Sequence, residues 1–394
     1  MSGALGDVPL DSVEVRGAVE LERTERGLRP HRLPAWARAQ VPSAFAVQTT
    51  AESAGVRLAF RTAARTLALV VHARRMVPDD TGEIPPGSYE LTAGGRVVAT
   101  ATGAAGSRYV FTFENPEGRI VEGPPTTVRF SGLAGADTEY ELWLPYTDAV
   151  ELVALRADAA VLPPSAAAAG PSATPPAGGR PLRWLHHGSS ISHGYRADTT
   201  TGTWPVVAAL AAGVELTNLA FSGNAVLDPF TARTMRETPA DLITLKIGIN
   251  LVNGDLMRMR TFRPAVDGFL DTLREGHPTT PIVVISPIWC EPVEDAAGPT
   301  VQDPSRADEW SIAGGTTEHV AEGKLSLRSI RAALAEIVAR RSATDPNLAY
   351  LDGLELYGGA DASAMPLPDN LHPGADVHRL IGDRFATRIL TPLA

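Results

Sequence analysis

Residues 183–194 read Arg-Trp-Leu-His-His-Gly-Ser-Ser-Ile-Ser-His-Gly, a β-prone run that breaks at Gly188 into small hydroxyl residues. A short run of this kind, closed by glycine, fits a buried strand that turns directly into a helix. The alternation repeats downstream. Strands are predicted at Arg183–His187, Glu215–Leu219, Leu242–Ile247, Ile282–Ser286 and Leu348–Leu351. Helical stretches fall between them at Trp204–Ala212, Phe230–Glu237, Phe262–Glu275 and Lys324–Arg341, and Val377–Leu390 closes the chain. Strands alternating with helices imply a mainly parallel sheet covered on both faces. In such sheets ligands bind beyond the carboxyl ends of the strands, so chemistry is sought in the loops there.

Upstream, Pro163–Pro181 (PPSAAAAGPSATPPAGGRP) has small residues, repeated prolines and no apolar period, and reads as an exposed linker. Before it the apolar period is two. Val13–Arg16, Val56–Phe60, Tyr89–Leu91, Tyr109–Phe113 and Thr127–Phe130 alternate or are rich in β-formers. Pro85-Pro86-Gly87, Gly94-Gly95, Asn115–Gly118 and Gly123-Pro124-Pro125 separate them as turns. Short strands at this spacing predict an antiparallel β-sandwich. The chain thus divides into a sandwich over residues 1–162, a linker over 163–181 and an α/β domain over 182–394. Phe111, Phe113, Phe130, Tyr140 and Trp143 are assigned to the sandwich core rather than to a sugar-stacking platform. His31 and His72 are assigned structural roles.

Composition sets the outer limits. With 394 residues, 44% hydrophobic and 20% charged, the chain can bury a large core and is no disordered polymer. The net charge of −10 argues against a nucleic-acid partner. A single cysteine, Cys290, excludes an internal disulfide and a multi-cysteine metal site, and lacks an oriented base in sequence. The longest uncharged run, residues 159–179, holds five prolines and cannot form a membrane-spanning helix. Met1–Leu10 carries Asp7 and Pro9 and does not resemble a signal peptide, so a cytoplasmic location is expected. No G-x-G-x-x-G opens a helix and no phosphate-binding loop is present. His186 and His187 are adjacent on a strand and face opposite ways, and no metal or other cofactor is expected.

Four loops at the strand ends carry candidate chemistry. The first holds Ser189, Ser190 and Ser192. A serine at a helix start sets its hydroxyl beside backbone N–H groups that stabilise a developing anion; a plain N-cap serine does no chemistry, and this segment alone leaves both readings open. The second loop, Asn218–Asn224, contains Gly223, whose backbone can approach a ligand closely or serve an ordinary turn. The third contains Asn250, placed to donate its amide or to cap a turn. Near the C-terminus stands Asp369-Asn370-Leu371-His372-Pro373, where an aspartate three residues before a histidine can fix its tautomer and stabilise the imidazolium. A nucleophile, two oxyanion donors and an oriented base together make an acyl-transfer set.

In its order Ser-Gly-Asn-Asp-His, the second half of the chain resembles the SGNH (GDSL) hydrolase superfamily over residues 182–392. Gly188-Ser189-Ser190-Ile191 matches the first block, Gly223 the second, Asn250 the third and Asp369–Pro373 the last. The resemblance implies a three-layer α/β/α, flavodoxin-like catalytic domain. It also implies a triad of Ser190, Asp369 and His372, with oxyanion donors from Ser190, Gly223 and Asn250. The whole chain resembles two-domain actinobacterial members with an N-terminal β-sandwich, some of which are acyltransferases that tailor polyketides. Two positions depart from the pattern: Ser189 and Leu251 stand where aspartates are usual.

The activity expected first is an esterase acting on a small-molecule ester or thioester through an acyl-enzyme. Transfer of the acyl group from an acyl-CoA to an alcohol acceptor is the alternative, and an inactive carbohydrate-binding or docking protein is the second. His193, Trp310 and Ile312 are the candidate substrate contacts. The last two lie in Trp289–Gly323, a segment rich in Asp, Glu, Gly and Pro that reads as an acceptor pocket, a lid or a solvated insertion.

Overall fold

The five strands that follow the linker pair in parallel in the order Glu215–Asn218, Arg183–Gly188, Leu242–Lys246, Ile282–Ile285, Leu348–Leu351. A computed structural model of the chain describes residues 5–78, 85–104, 106–112, 117–165, 180–306, 308 and 310–393. Each expected strand of this sheet is present and shifts by at most one residue at its end. Three of its strands are buried along their whole length or nearly so, as strands covered on both faces are. One face packs against the helices Pro229–Glu237, Met259–Gly276 and Leu327–Ser342, with Phe230, Phe269, Leu273 and Leu334 in the layer. The other face packs against Trp204–Ala212 and Ala375–Phe385, through Trp184, Trp204, Ile381 and Phe385. This is the three-layer, flavodoxin-like arrangement. The last helix leaves α geometry at Phe385 and ends in a π turn, Ala386–Leu390.

The first part of the chain forms two stacked sheets, one of eight strands and one of six. Among the described residues all pairings in these two sheets are antiparallel except Thr66–Pro78 with Ser107–Phe111, which is parallel. Between those two strands the chain crosses into the other sheet to make Gly87–Ala93 and Arg96–Gly103, and it re-enters in the original direction. Leu58, Phe60, Leu69, Val71, Tyr89, Phe130, Tyr140 and Leu152 fill the space between the sheets. Phe130 and Tyr140 therefore sit where expected, and two other aromatics do not. Trp143 packs with the catalytic half, with Arg57 above its ring. Phe111 turns toward Phe45. Phe113 and residues 166–179, the bulk of the expected linker, lie outside the described residues. His31 binds Glu22 and His72 binds the Gly123 carbonyl, both structural contacts.

The longest strand among the described residues, Thr66–Pro78, alternates in burial from Leu69 onward but left no alternating signature in sequence, because Arg75 occupies a buried position next to Arg74. Arg75 is held there in a forked ion pair by Asp148.

The two halves share a polar junction. The Tyr146 hydroxyl donates to the Ala197 carbonyl at 2.7 Å, and the Thr201 N–H donates to Glu90 at 2.7 Å. Arg57 donates to the Leu216 carbonyl at 3.0 Å. Buried backbone carbonyls at the edge of the parallel sheet are thereby satisfied from the other domain.

His186, His187, His193 and His378 are all buried in or beside this catalytic half. Burial pushes each below its ordinary value, His187 and His378 to about 4. Below pH 6.5 the unfolded chain takes up protons that the folded chain refuses. Stability therefore falls as pH drops from 6.5 toward 4, by about 1.4 kcal/mol per unit for each such histidine. Glu52, raised by its own burial, offsets one of the four. The melting temperature is expected to decline across this window, and His187→Asn to flatten the decline; an unchanged slope in a pH series of thermal melts refutes the assignment.

Candidate active site

The strand Arg183–Gly188 ends at the carboxyl edge of the sheet, and the helix Ser190–His193 begins two residues later with Ser189 as N-cap. The strand is paired on both sides, as far as His186 with Glu215–Asn218 and as far as Gly188 with Leu242–Lys246, so the turn is fixed at its base. Gly188 and Ser189 leave no room for a gradual bend, and a side chain at 188 would collide with Ser192. Ser190 thus projects from the first turn, with its Oγ 3.0 Å from His372 Nε2.

His372 is held from its other side. Its Nδ1 lies 2.8 Å from Asp369 Oδ2, while Asp369 Oδ1 accepts the backbone N–H groups of Leu371 and His372 at 3.1 and 2.6 Å. The loop folds back on its own backbone because Asn370 adopts φ +61°, a left-handed conformation that asparagine tolerates. Asp369 is almost fully buried. Burial opposes its charge, but the hydrogen bonds and charge of His372, together with Arg196 Nε at 2.7 Å, outweigh it and hold the carboxyl far below the usual carboxylate range. Asp369 therefore stays ionised and fixes the ring orientation. A hydroxyl, an imidazole and a carboxylate in this order can pass a proton from oxygen to ring nitrogen and back.

Two further loops reach the same edge. After Leu242–Lys246 the chain turns at Gly248, φ +127°, where any side chain would strike Ile330 and Pro287. This turn starts the short helix Ile249–Asn253 and sets Asn250 inward. Asn250 Oδ1 accepts the Ala225 N–H at 3.0 Å, and its Nδ2 has no partner among the described residues. The amide is thus oriented with its donor face available. Gly223, φ +71°, lies in the loop that Ala225 continues. The three loops are tied together: Phe221 N–H donates to the Gly188 carbonyl at 2.9 Å, and Asn218 Nδ2 to the Ser192 carbonyl at 2.9 Å.

Ser189 and Leu251, where aspartates are usual, are both fully buried. The Ser189 Oγ has no partner among the described residues, and Leu251 packs in the core. The bonds just named hold the loops in place of those carboxylates.

The remaining expectations divide. The segment after Cys290 folds as the hairpin Thr300–Gln302 with Ser311–Ala313, docked on the His372 loop. Ser311 N–H donates to the Asp369 carbonyl at 3.0 Å and Asn370 Nδ2 donates to the Ser311 carbonyl at 3.0 Å. Trp310 and Ile312 therefore stand at this rim, Trp310 beneath the Arg306 guanidinium at 4.4 Å. His193 does not line a surface open to substrate. It is 2% exposed, its Nδ1 accepts the Ser222 N–H at 3.3 Å, and its Nε2 donates to the Tyr146 carbonyl at 2.9 Å. Burial beneath the first domain, which the local sequence does not encode, changes its role from contact to brace. Cys290 is buried, its thiol pushed up to about 12 by that burial and by Asp369, and it is no competing nucleophile. His186 and His187 face opposite sides of the sheet, and among the described residues no group of three His, Cys, Asp or Glu side chains is placed to hold a metal ion. The sequence reading missed Tyr195, whose ring packs on His372 at 4.5 Å, and Arg196; neither has a local signature beyond following Gly194.

Both halves of the chain match known families. Residues 187–380 match the GDSL-like Lipase/Acylhydrolase family, and residues 13–153 match the family described as SsfX3, N-terminal domain. No curated protein matches the chain. Among solved structures, the salicylyl-acyltransferase SsfX3 from a tetracycline biosynthetic pathway superposes with a TM-score of 0.76 at 25% identity, covering 99% of this chain and 97% of that one. A Bacteroides ovatus ATCC 8483 protein of the GDSL-like lipase type has a TM-score of 0.63 at 18% identity, with 98% and 96% covered. A family two carbohydrate esterase from Clostridium thermocellum, in complex with cellohexaose, shares the fold at 13% identity and a TM-score of 0.55, with 87% and 94% covered. Among the described residues no helix is long and apolar enough to cross a membrane. The chain is an SGNH-type hydrolase/acyltransferase that joins a GDSL-like lipase/acylhydrolase domain to an N-terminal domain of the SsfX3 kind.

Proposed function

We infer that Ser190, His372 and Asp369 are the catalytic triad of this enzyme. The reading rests on one observation: the His372 ring bridges the Ser190 hydroxyl and the Asp369 carboxylate at 3.0 and 2.8 Å. His372 Nε2 takes the Ser190 proton as Oγ attacks the carbonyl carbon of an ester or thioester. The backbone N–H groups of Ser190 and Gly223 and the Asn250 Nδ2 donate to the oxyanion that forms. His372 then protonates the departing alcohol or thiol, leaving an acyl group on Ser190. A hydroxyl acceptor, deprotonated by the same ring, attacks this acyl-enzyme and carries the acyl group away.

The acceptor is an alcohol on a small natural product and the donor an acyl-CoA or related thioester. The likeness to the salicylyl-acyltransferase, which runs through both domains, supports transfer over hydrolysis. Water in place of the alcohol gives an acylhydrolase with the same triad, the second reading, which the lipase/acylhydrolase family supports. Trp310 and Ile312, at the rim beside Asp369, are the proposed substrate contacts, and the domain division falls within residues 163–181. A cytoplasmic site for the reaction fits the lone reduced cysteine and an intracellular thioester donor.

Ser190→Ala is expected to abolish both fluorophosphonate labelling and turnover of a short p-nitrophenyl ester without shifting the melting curve; retained turnover refutes the triad. Asn250→Ala is expected to lower kcat by about 10² to 10³, or ~3–4 kcal/mol of transition-state stabilisation, while Ser190 still labels. With an acyl-CoA and candidate alcohols present, product masses are expected to show the acceptor ester. Free acid alone, whatever the alcohol, leaves hydrolysis as the activity.

A further inference from the structure

The loop that carries Gly223 is not held by its own domain alone. Arg32, in the first domain between the strand Leu28–His31 and the helix Ala35–Arg38, is fully buried against it. Its Nη1 donates to the carbonyls of Asn218 at 3.2 Å and Ala220 at 2.5 Å. On the opposite side, Nε donates to the Glu52 carbonyl at 2.5 Å and Nη2 to the Thr49 carbonyl at 2.5 Å. Thr49 and Glu52 lie at the C-terminal end of the helix Ala44–Ala51, where carbonyls lack helical partners. One planar fork thus satisfies two carbonyls in each domain, and the Phe221 ring stacks on it with the guanidinium carbon 5.0 Å from its centre.

The consequence falls on the residues that follow Ala220. Because a peptide unit is planar, fixing the carbonyls of Asn218 and Ala220 fixes the planes of two of the units leading into Phe221-Ser222-Gly223. Gly223 has no side chain to anchor it and sits at positive φ. Two further contacts from the first domain close on the same stretch. A Cβ at Gly223 would lie 3.3 Å from the Phe45 ring, and Thr49 Oγ1 accepts from Asn224 Nδ2 at 3.2 Å. His193, which receives the Ser222 N–H, is itself bonded to Tyr146 of the first domain.

We propose that Arg32 is a positioning residue for the oxyanion site: from the N-terminal domain, its guanidinium clamps the loop 218–224 and so aims the Gly223 N–H at the reacting carbonyl. The proposal rests on the assignment of Gly223 as an oxyanion donor. It gives the first domain a part in the chemical step that is separate from substrate binding. A donor misplaced by about 1 Å loses most of its effect on the transition state while leaving ground-state binding nearly intact.

The test compares wild type with Arg32→Met and Arg32→Lys in the full chain, using a short p-nitrophenyl ester, with Ser190→Ala measured alongside. Arg32→Met is expected to lower kcat by about 10²-fold with KM within about threefold. Arg32→Lys, which keeps the charge and loses the fork, is expected to fall between the two. Guanidinium ion is expected to restore part of the lost kcat in Arg32→Ala. A folded Arg32→Met with kcat within threefold of wild type overturns the proposal, as does a raised KM at unchanged kcat. Should Arg32→Met not fold, Arg32→Lys carries the same criteria. If Ser190→Ala retains turnover, the triad reading itself fails; if Ser190→Ala is inactive and Arg32→Met is not impaired, only the clamp fails.

Discussion

Every parallel strand in the second half of this protein points the same way, and that constraint governs the rest. It delivers the loops after Arg183–Gly188, Glu215–Asn218 and Leu242–Lys246 to one edge, where residues more than fifty positions apart become neighbours. Such sheets need helices on both faces, and ligands bind beyond the carboxyl ends of their strands, which is this edge. The His372 loop enters from the far end of the chain, between the last strand and the last long helix, and completes the cluster.

The catalytic half was legible in the sequence because its signals are local. Each strand is a short β-prone run closed by turn residues, so Arg183–Gly188 and its successors declare themselves within a residue. Ser190, Asn250, Asp369 and His372 follow from their places after those strands and from the block order. The first domain was legible only in outline. Thr66–Pro78 carries two arginines in a central strand, and its burial depends on Asp148, more than seventy residues away. His193 was misread for a related reason. Nothing near it in sequence says that Tyr146 will cover it, since burial at a domain junction is a property of two surfaces and not of one segment.

That junction is unusually polar for buried contact. Arg32, Arg57, Tyr146 and Glu90 meet mainly backbone groups of the partner domain rather than opposing charges. Backbone groups cannot be lost by substitution and stand at fixed spacing, which makes them good targets for a residue with a rigid fork of donors. The arrangement adds to the bonds within the second domain that hold the loops where Ser189 and Leu251 stand at positions usually taken by carboxylates.

The helix that begins at Ser190 ends at His193, after a single turn, and Gly194 breaks it at φ +121°. So few aligned peptide units sum to almost no macrodipole. On the proposed mechanism, an anion formed at Ser190 therefore feels no extended field and depends on individual amides a hydrogen bond away. Stabilisation of that kind fades over tenths of an ångström, which makes the enzyme's rate a measure of how still its backbone is held.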